Sequence, residues 1–568
     1  MIKNQSNGSK ISISVLGIGV TMVILGASLS LMVFLYSFGV GNQTLDFSQL
    51  LKDFRVGAIL YVAGQQAFMS CFVSFCLAVP ISSILAKRYH WHIFPPLFGM
   101  LGLVLVMPTT VAAVGILKVW GLNGWLAQTL AQTFDIISFG TVGWVNIYGL
   151  HGVVLAHVFF NLPLMIRVLT PIFLSFPKEH IFLSEQYGFS RVKFFWVLEW
   201  PAIKRVALSL NVLVFLLCFT SFSLVLMLGG GPKVTTLEVE IYSAIRFDFS
   251  IAKAAALSLI QVAIVACVIF ILTFFENGLS NNSAIYLPLG NRLNQEKFPR
   301  APLRNYNKSI VISLVKDIFW LSPLIFIIFL PFFAVILSGF SESLIKVLKW
   351  EIFWESLKNT ILIAFLSSSL AISLGFLLAY SKVILRSSNF FGRNFFLGLI
   401  ESSILIYLAI PAIVLGTALF IVLRQFADVV ALSWLILVLS NVFLCLPFVV
   451  RIIEPRLFSL ESKHKTLYKS LGLVGAKKFF SVTLPGLNVE LGLALGIALA
   501  FSVGDLSVIA LFGSNDFQTI PWLIYQTAGR YGLSDANALA LLLLVVTFFF
   551  FFCSKFLVRK VCSISVKI

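Results

Sequence analysis

The chain has 568 residues, of which 59% are hydrophobic and 11% are charged, and its mean hydropathy is +1.00. This balance excludes an ordinary soluble domain and predicts an integral membrane protein. The formal net charge of +18 does not indicate nucleic-acid binding, because the Lys and Arg residues are spread over many loops. Charge that collects in loops is instead the signal that orients membrane helices.

Twelve apolar runs are long enough to cross a hydrocarbon core of about 30 Å. We expect them to be helices, because a lipid-exposed backbone must satisfy its hydrogen bonds internally and barrel strands would alternate with a period of two. The first run lacks a cleavage site and is interpreted as a retained span. The predicted spans are roughly 11–38, 58–86, 93–119, 145–170, 206–229, 252–275, 311–338, 356–381, 395–424, 430–452, 488–513 and 536–558.

The distribution of basic residues predicts the orientation of the chain. Most of the 41 Lys and Arg residues fall in the N-terminus, the even-numbered loops and the C-terminus. The positive-inside rule therefore places both termini in the cytoplasm. The seven Cys residues show no metal-ligand spacing, so we expect buried thiols and no metal site.

A long internal repeat divides the chain. Gly188 matches Gly472 and Pro201 matches Pro485. The residue numbers differ by the same amount in both pairs, and we call this difference the repeat offset. An even number of spans lies between the copies, so the repeat is parallel and both copies face one side of the membrane. Further pairs at the repeat offset are Leu162-Pro163 with Leu446-Pro447, Arg167 with Arg451, Lys193 with Lys477, Gly229 with Gly513 and Thr235 with Thr519.

The repeat predicts two permease halves, 1–275 and 311–568, joined by a polar, Asn- and Pro-rich cytoplasmic linker over 276–310. The two repeated loops cover 172–205 and 453–487. Each is predicted to hold a short helix, a Gly turn and a second helix ended by Pro. Their basic and aromatic residues suit either a protein interface or an interfacial lipid anchor. The distance from Gly to Pro is the same in both loops, which favours the protein interface.

The segments "GFSRVKFFWVLEWP" (188–201) and "GLVGAKKFFSVTLP" (472–485) resemble the EAA loop of ABC importer permeases. The resemblance implies a type I importer fold and loops that dock on a separate ATPase. The acidic residue of the family's triplet is absent, since Phe182, Leu183 and Ser184 stand there in the first half and Thr466, Leu467 and Tyr468 in the second. The ATPase-coupling residues implied are Glu185, Gly188, Lys193, Pro201, Ser470, Gly472, Lys477 and Pro485.

Longer stretches resemble the fused permeases of bacterial thiamine importers, among them "LHGVVLAHVFFNLP" (150–163) and "SVGDLSVIALFGSNDFQTIPWLIYQTAGRY" (502–531). The resemblance implies import of thiamine and its phosphates across the inner membrane. It also implies a periplasmic binding protein and two copies of a cytoplasmic ATPase as partners. Fused iron(III) permeases share the two-half layout and are the close alternative, and a secondary transporter driven by an ion gradient is a more distant one.

No motif of this chain supplies catalytic chemistry. It lacks the G-x-x-x-x-G-K-[ST] nucleotide loop, and no Ser-His-Asp set stands out among its six histidines. We therefore expect a transport subunit that is not an enzyme and binds no cofactor. ATP and Mg²⁺ would belong to the partner ATPase.

Polar residues within the spans are the candidates for a substrate pathway, because a charge at bilayer depth is costly and usually faces protein or water. Asp505 lies in the eleventh predicted span, and Ser221 is its repeat counterpart in the fifth. Asp505 is either a carboxylate that faces a cationic substrate or a structural acid bonded to a neighbouring helix. Glu401, in the ninth span, is a further pathway candidate with helix packing as its alternative.

The segments "GGGPKVTTLEVEIY" and "GSNDFQTIPWLIY" follow the fifth and eleventh predicted spans. Because they occur in register on the periplasmic side, we predict ordered segments that cap the cavity as an external gate; the alternative is a flexible turn. The gate residues predicted are Gly229, Gly230, Gly231, Thr235, Gly513 and Thr519.

Overall fold

The computed structural model describes most of the chain in a series of segments. These are residue 21 and residues 56–89, 92, 94–122, 124–134, 147–176, 178–231, 234–279, 310–387, 393–424, 429–463, 468, 470–473, 475–514, 517–530 and 532–565. Within them the backbone forms helices and turns and contains no strand, which confirms the all-α prediction. Apart from residue 21, the first predicted span, 11–38, lies outside the described residues, as does most of the predicted linker, 276–310.

The described helices of the first half are predominantly apolar, and each satisfies its own backbone hydrogen bonds. They are α1 (Val56–Lys87), α2 (Phe94–Val104), α3 (Thr109–Trp120), α4 (Trp125–Phe134), α5 (Leu150–Leu174), α6 (Lys178–Gln186), α7 (Arg191–Phe194), π1 (Phe195–Glu199), α8 (Trp200–Phe219), α9 (Ser223–Leu228), α10 (Leu237–Arg246) and α11 (Ile251–Leu279).

The described helices of the second half follow nearly the same order. They are α12 (Ile310–Pro323), π2 (Leu324–Phe329), α13 (Leu330–Gly339), α14 (Glu342–Leu348), α15 (Glu351–Ser387), α16 (Arg393–Ala409), α17 (Ala412–Leu423), α18 (Val429–Lys463), α19 (Gly475–Lys478), π3 (Phe479–Thr483), α20 (Leu484–Gly486), α21 (Asn488–Gly504), α22 (Ser507–Phe512), α23 (Ile520–Gly529) and α24 (Leu533–Ser565). The side of the bundle that carries α6 and α19 is called the loop side, and the side that carries α10 and α23 the far side.

Ten described helical segments are long and apolar enough to cross a membrane, and α2 and α17 are shorter apolar helices. The chain is therefore a multi-pass membrane protein, and the predicted count of twelve spans is not confirmed by the described residues. Four predicted spans, 93–119, 206–229, 395–424 and 488–513, are each divided into two helices by a break.

The breaks occur at equivalent places in the two halves. Pro108 immediately precedes α3 and Pro411 immediately precedes α17. A proline interrupts the preceding helix, because it lacks an N–H and its ring clashes with the turn before it. The other two breaks fall at Ser221, between α8 and α9, and at Asp505, between α21 and α22. Periodicity alone does not reveal these breaks, since the apolar pattern continues through them.

The two halves pack against each other through equivalent helices. Helix α3 contacts α13 and α24 of the second half, and α17 contacts α10 and α11 of the first. Gly115 on α3 permits a close approach, since a Cβ there would lie 2.6 Å from the carbonyl oxygen of Pro331. On the loop side, Arg88 Nη2 and Asp317 Oδ2 form an ion pair of 2.8 Å across the halves. The two halves thus share one packed interior in the described part of the chain.

Candidate functional site

The two repeated loops adopt the same turn. Gly188, which follows α6, and Gly472, which precedes α19, both have a φ of 63°. This left-handed conformation is unfavourable for residues that carry a Cβ, so glycine is suited to both positions. A Cβ built at either glycine would meet no atom of the described residues within 4 Å. Both turns therefore project from the described structure with open space around them.

Each repeated proline follows a π turn, and the two turns lie at the repeat offset. In π1 the Trp200 N–H donates to the Phe195 carbonyl oxygen, and in π3 the Leu484 N–H donates to that of Phe479. Proline lacks an N–H, and its ring would clash with the preceding turn of an α-helix. A π turn widens the helix at this place and so accommodates the proline. The prediction that Pro ends the second loop helix is therefore wrong for Pro201, because π1 leads directly into α8.

Equivalent positions of the two loops expose large apolar side chains. Tyr187 is 76% exposed and its counterpart Leu471 is 63% exposed, and each immediately precedes the loop glycine. Trp196 and its counterpart Phe480 are also exposed. Exposed apolar groups that recur in register indicate a contact surface, since isolated ones need no explanation. We call these four residues the loop contact surface.

The remaining loop candidates are placed as follows. Lys193 is exposed, and its ammonium lies 4.6 Å from the centre of the Phe189 ring. Ser470, Lys477 and Pro201 are also exposed, and Pro485 is half-buried. Glu185 belongs to α6, but its side chain lies outside the described part of the structure.

The positions of the absent acidic triplet differ between the loops. Phe182 and Leu183 are exposed and Ser184 is buried. In the second half Tyr468 is buried, while Thr466 and Leu467 lie outside the described residues. No carboxylate therefore occupies the described triplet positions.

The second loop also contains a buried ion pair that sequence reasoning missed. The Lys478 ammonium pairs with a carboxylate oxygen of Glu461 and lies 4.9 Å from the centre of the Tyr468 ring. The pair connects the C-terminal part of α18 to α19. The ion pair therefore stabilises the second loop against α18, the helix that precedes this loop.

The pathway candidates Asp505 and Ser221 both lie at a helix break. Asp505 Oδ1 accepts a hydrogen bond of 2.9 Å from the Ser507 N–H at the start of α22. Its Oδ2 is buried and has no hydrogen-bond partner among the described residues. A carboxylate with one satisfied oxygen and one open oxygen can cap a helix and still receive a donor or a cation.

Glu401 lies in a different environment from Asp505. Its carboxylate is 3.1 Å from the buried ammonium of Lys382, which also contacts Glu454 at 3.0 Å. Glu454 is further paired with Arg386 at 2.9 Å. These residues form a charge network among α15, α16 and α18, and the break at Asp505 is not part of it.

The predicted gate segments form a turn followed by a short helix in each half. Gly229, Gly230 and Gly231 form the turn before α10. Thr235 lies between this turn and Leu237, the first residue of the helix. Gly513 allows close packing, since a Cβ there would lie 2.8 Å from the ring of Trp522.

The register of the repeat changes at this point. The residue immediately before α10 is Thr236, whereas Thr519 immediately precedes α23. The structural counterpart of Thr519 is therefore Thr236, and the sequence pairing with Thr235 is displaced to the neighbouring position. The segment before α23 is one residue shorter than the segment before α10. Equivalent residues of α10 and α23 therefore differ in number by one less than the repeat offset, and we call this difference the shortened offset.

Comparison with known proteins gives relatives that span nearly the whole chain, although no family model matches it. The thiamine transport system permease protein ThiP of Brucella abortus (strain 2308) is 32% identical over 478 residues, which are 84% of this chain and 83% of the relative. The protein of the same name from Escherichia coli (strain K12) is 32% identical over 529 residues, 92% of this chain and 93% of the relative.

A shorter relative matches part of the chain. The molybdate/tungstate transport system permease protein WtpB of Pyrococcus furiosus is 29% identical over 204 residues, 35% of this chain and 76% of that protein. The full-length similarities confirm the resemblance drawn from the sequence, and the many apolar helices agree with a transport component of the membrane. The chain therefore belongs to the thiamine transport system permease family.

Proposed function

We propose that the chain is the membrane subunit of an ATP-driven ABC importer that moves thiamine and its phosphates from the periplasm to the cytoplasm. The observation that carries the coupling part of this proposal is the equivalent folding of the two loops. Both have the same left-handed glycine, the same π turn and the same exposed apolar positions. Two equivalent surfaces suit two copies of one partner.

The partner that fits the two loop contact surfaces is a cytoplasmic ATPase that binds once to each half. ATP and Mg²⁺ would be held by that ATPase, because the chain has no nucleotide loop of its own. In this proposal the loop side, the N-terminus and the C-terminus face the cytoplasm, as the positive-inside rule favours. A periplasmic binding protein would then deliver substrate to the far side.

The substrate pathway is proposed to pass the two helix breaks at Asp505 and Ser221. Interrupted helices often line substrate sites in transporters, since the broken backbone offers polar groups at membrane depth. The two positions are equivalent, yet only one carries a carboxylate. A single buried carboxylate in an otherwise apolar span suits a substrate with one fixed positive charge, such as a thiazolium ring. Glu401 is less suited to this role, because its carboxylate already contacts Lys382.

Asp505→Asn separates the pathway role of this residue from its structural role. Asparagine keeps an oxygen that can accept the Ser507 N–H, so the helix cap is retained while the charge is lost. We expect uptake to fall about tenfold or more, whereas Ser221→Ala should change it little. Normal uptake by a stably folded Asp505→Asn protein would leave Asp505 with the capping role alone.

The function as a whole is tested by ATP hydrolysis in liposomes that contain the chain, its ATPase and its binding protein. Thiamine and thiamine pyrophosphate are expected to stimulate hydrolysis, and ferric iron is not. Stimulation by ferric iron alone would contradict the proposed substrate. A complex without the binding protein is the control for basal hydrolysis.

A further inference from the structure

Two tyrosines from equivalent helices meet on the far side. Tyr242 on α10 and Tyr525 on α23 correspond at the shortened offset, and their phenol groups lie close enough to affect each other's pKa. Equivalent residues of two related halves contact each other only near the axis that relates the halves. The tyrosine pair therefore lies at the centre of the far side.

The chemical state of the pair suits a neutral contact. Burial raises the pKa of Tyr242 to about 12, and burial also raises the pKa of Tyr525. Both phenols consequently keep their protons at neutral pH. The contact can break and form again without a change of charge.

Arg246, one turn after Tyr242, adds a second contact between the halves. Its Nη2 donates a hydrogen bond of 2.8 Å to the Gly513 carbonyl oxygen, and its guanidinium lies 5.9 Å from the centre of the Trp522 ring. The counterpart of Arg246 at the shortened offset is Gly529. The arginine contact is therefore made in one direction only, from the first half to the second.

Aromatic contacts connect the tyrosine pair to a helix break. The Phe222 ring, next to Ser221 at the break between α8 and α9, lies 5.5 Å from the Tyr242 ring. In the second half the Trp522 ring lies 5.4 Å from that of Tyr525. Movement of α10 away from α23 would therefore disturb both the pair and the residues beside the break.

We propose that Tyr242, Tyr525 and Arg246 form an outer latch that holds the far side closed and opens when the partner ATPases bind ATP. This inference rests on the proposed ATP-driven cycle. It assigns the far-side closure to side chains of α10 and α23, in addition to the Gly and Thr residues of the predicted gate. In the latch, the symmetric tyrosine pair marks the centre and the arginine adds an asymmetric contact.

Cysteine crosslinking tests the latch in the complete complex. A chain with Tyr242→Cys and Tyr525→Cys, and with a protease site inserted in the linker 276–310, is treated with a bismaleimide long enough to span the space of the two tyrosine side chains and is then cleaved. A crosslink keeps the two halves together on a gel. The same chain with only one of the two substitutions controls for the native cysteines.

We expect efficient crosslinking without nucleotide and at least a fivefold loss when the ATPases are trapped by ATP and vanadate in a transition-state-like complex. Absence of crosslinking without nucleotide, or equal crosslinking in both states, would overturn the latch. The substrate assignment is tested separately by hydrolysis and uptake, so a complex can transport thiamine and still disprove the latch.

Conservative variants give an independent readout that does not require new cysteines. Tyr242→Phe removes the hydroxyl and keeps the ring, so basal ATP hydrolysis should rise about 2- to 10-fold, the range that corresponds to one hydrogen bond. Arg246→Ala should act in the same direction. Tyr61→Phe, at a residue that is 69% exposed on α1, is the matched control. Unchanged basal hydrolysis in both Tyr242→Phe and Arg246→Ala would contradict the proposal.

Discussion

Replacement of Gly472 tests whether the loop turn meets a partner. At a φ of 63° a residue with a Cβ costs about 1 to 2 kcal/mol, which changes the population of this turn by about 5- to 30-fold. Asparagine tolerates this conformation better than alanine does. Because a Cβ at Gly472 meets no atom of the described residues within 4 Å, we expect any further loss on going from Ala to Arg to arise from contact with a partner.

The assay is co-purification of the ATPase with the tagged chain, together with thermal unfolding of the chain alone. We expect binding close to wild type for Gly472→Asn, a loss of about tenfold for Gly472→Ala and no binding for Gly472→Arg. Gly188→Arg should behave in the same way, and both Arg variants should insert in the membrane but fail to support uptake. Gly231→Arg, at a left-handed far-side position that also meets no atom within 4 Å, is the control. Equal binding by the Ala and Arg variants would refute the docking role.

Contacts between the halves give two further predictions. Gly115→Leu should lower the free energy of unfolding of the detergent-purified chain by about 1 to 3 kcal/mol, because its side chain would overlap the backbone at Pro331. Gly64→Leu is the control and should leave this free energy unchanged, since a Cβ at Gly64 meets no described atom within 4 Å. Equal effects of the two substitutions would contradict the packing. A double-mutant cycle of Arg88→Ala and Asp317→Ala should give a coupling of about 1 kcal/mol or less, since both side chains are partly exposed. A coupling above about 3 kcal/mol would be too large for a partly exposed pair and would contradict this expectation.

Local signals in the sequence predicted part of this structure well. The turn at Gly188 and Gly472 was predictable because glycine marks a left-handed turn through its own backbone preference. The π turns before Pro201 and Pro485 were not, because a proline shows only that a donor is missing. Whether the helix then stops or widens depends on the packing around it. The helix break at Asp505 was hidden for a similar reason, since apolar residues continue on both sides of it.

Long-range pairs were the features that sequence reasoning missed. Tyr242 and Tyr525 do not pair at the repeat offset, because the segment before α23 is shorter than its counterpart. The dipeptide Ile-Tyr at the end of both quoted gate segments was the signal that could have revealed them. Lys478 and Glu461 follow no spacing rule, so only the folded second loop brings them together. Side-chain partners of this kind depend on tertiary packing, which composition and periodicity do not specify.

The most direct test of the central claim is accumulation of labelled thiamine in liposomes that contain the complete complex and the binding protein. The proposed function predicts uptake that requires the ATPase subunit and ATP and that continues when ionophores have removed all ion gradients. Uptake by the chain alone, or uptake that stops when an ion gradient is removed while ATP remains, would contradict the account and indicate a secondary transporter.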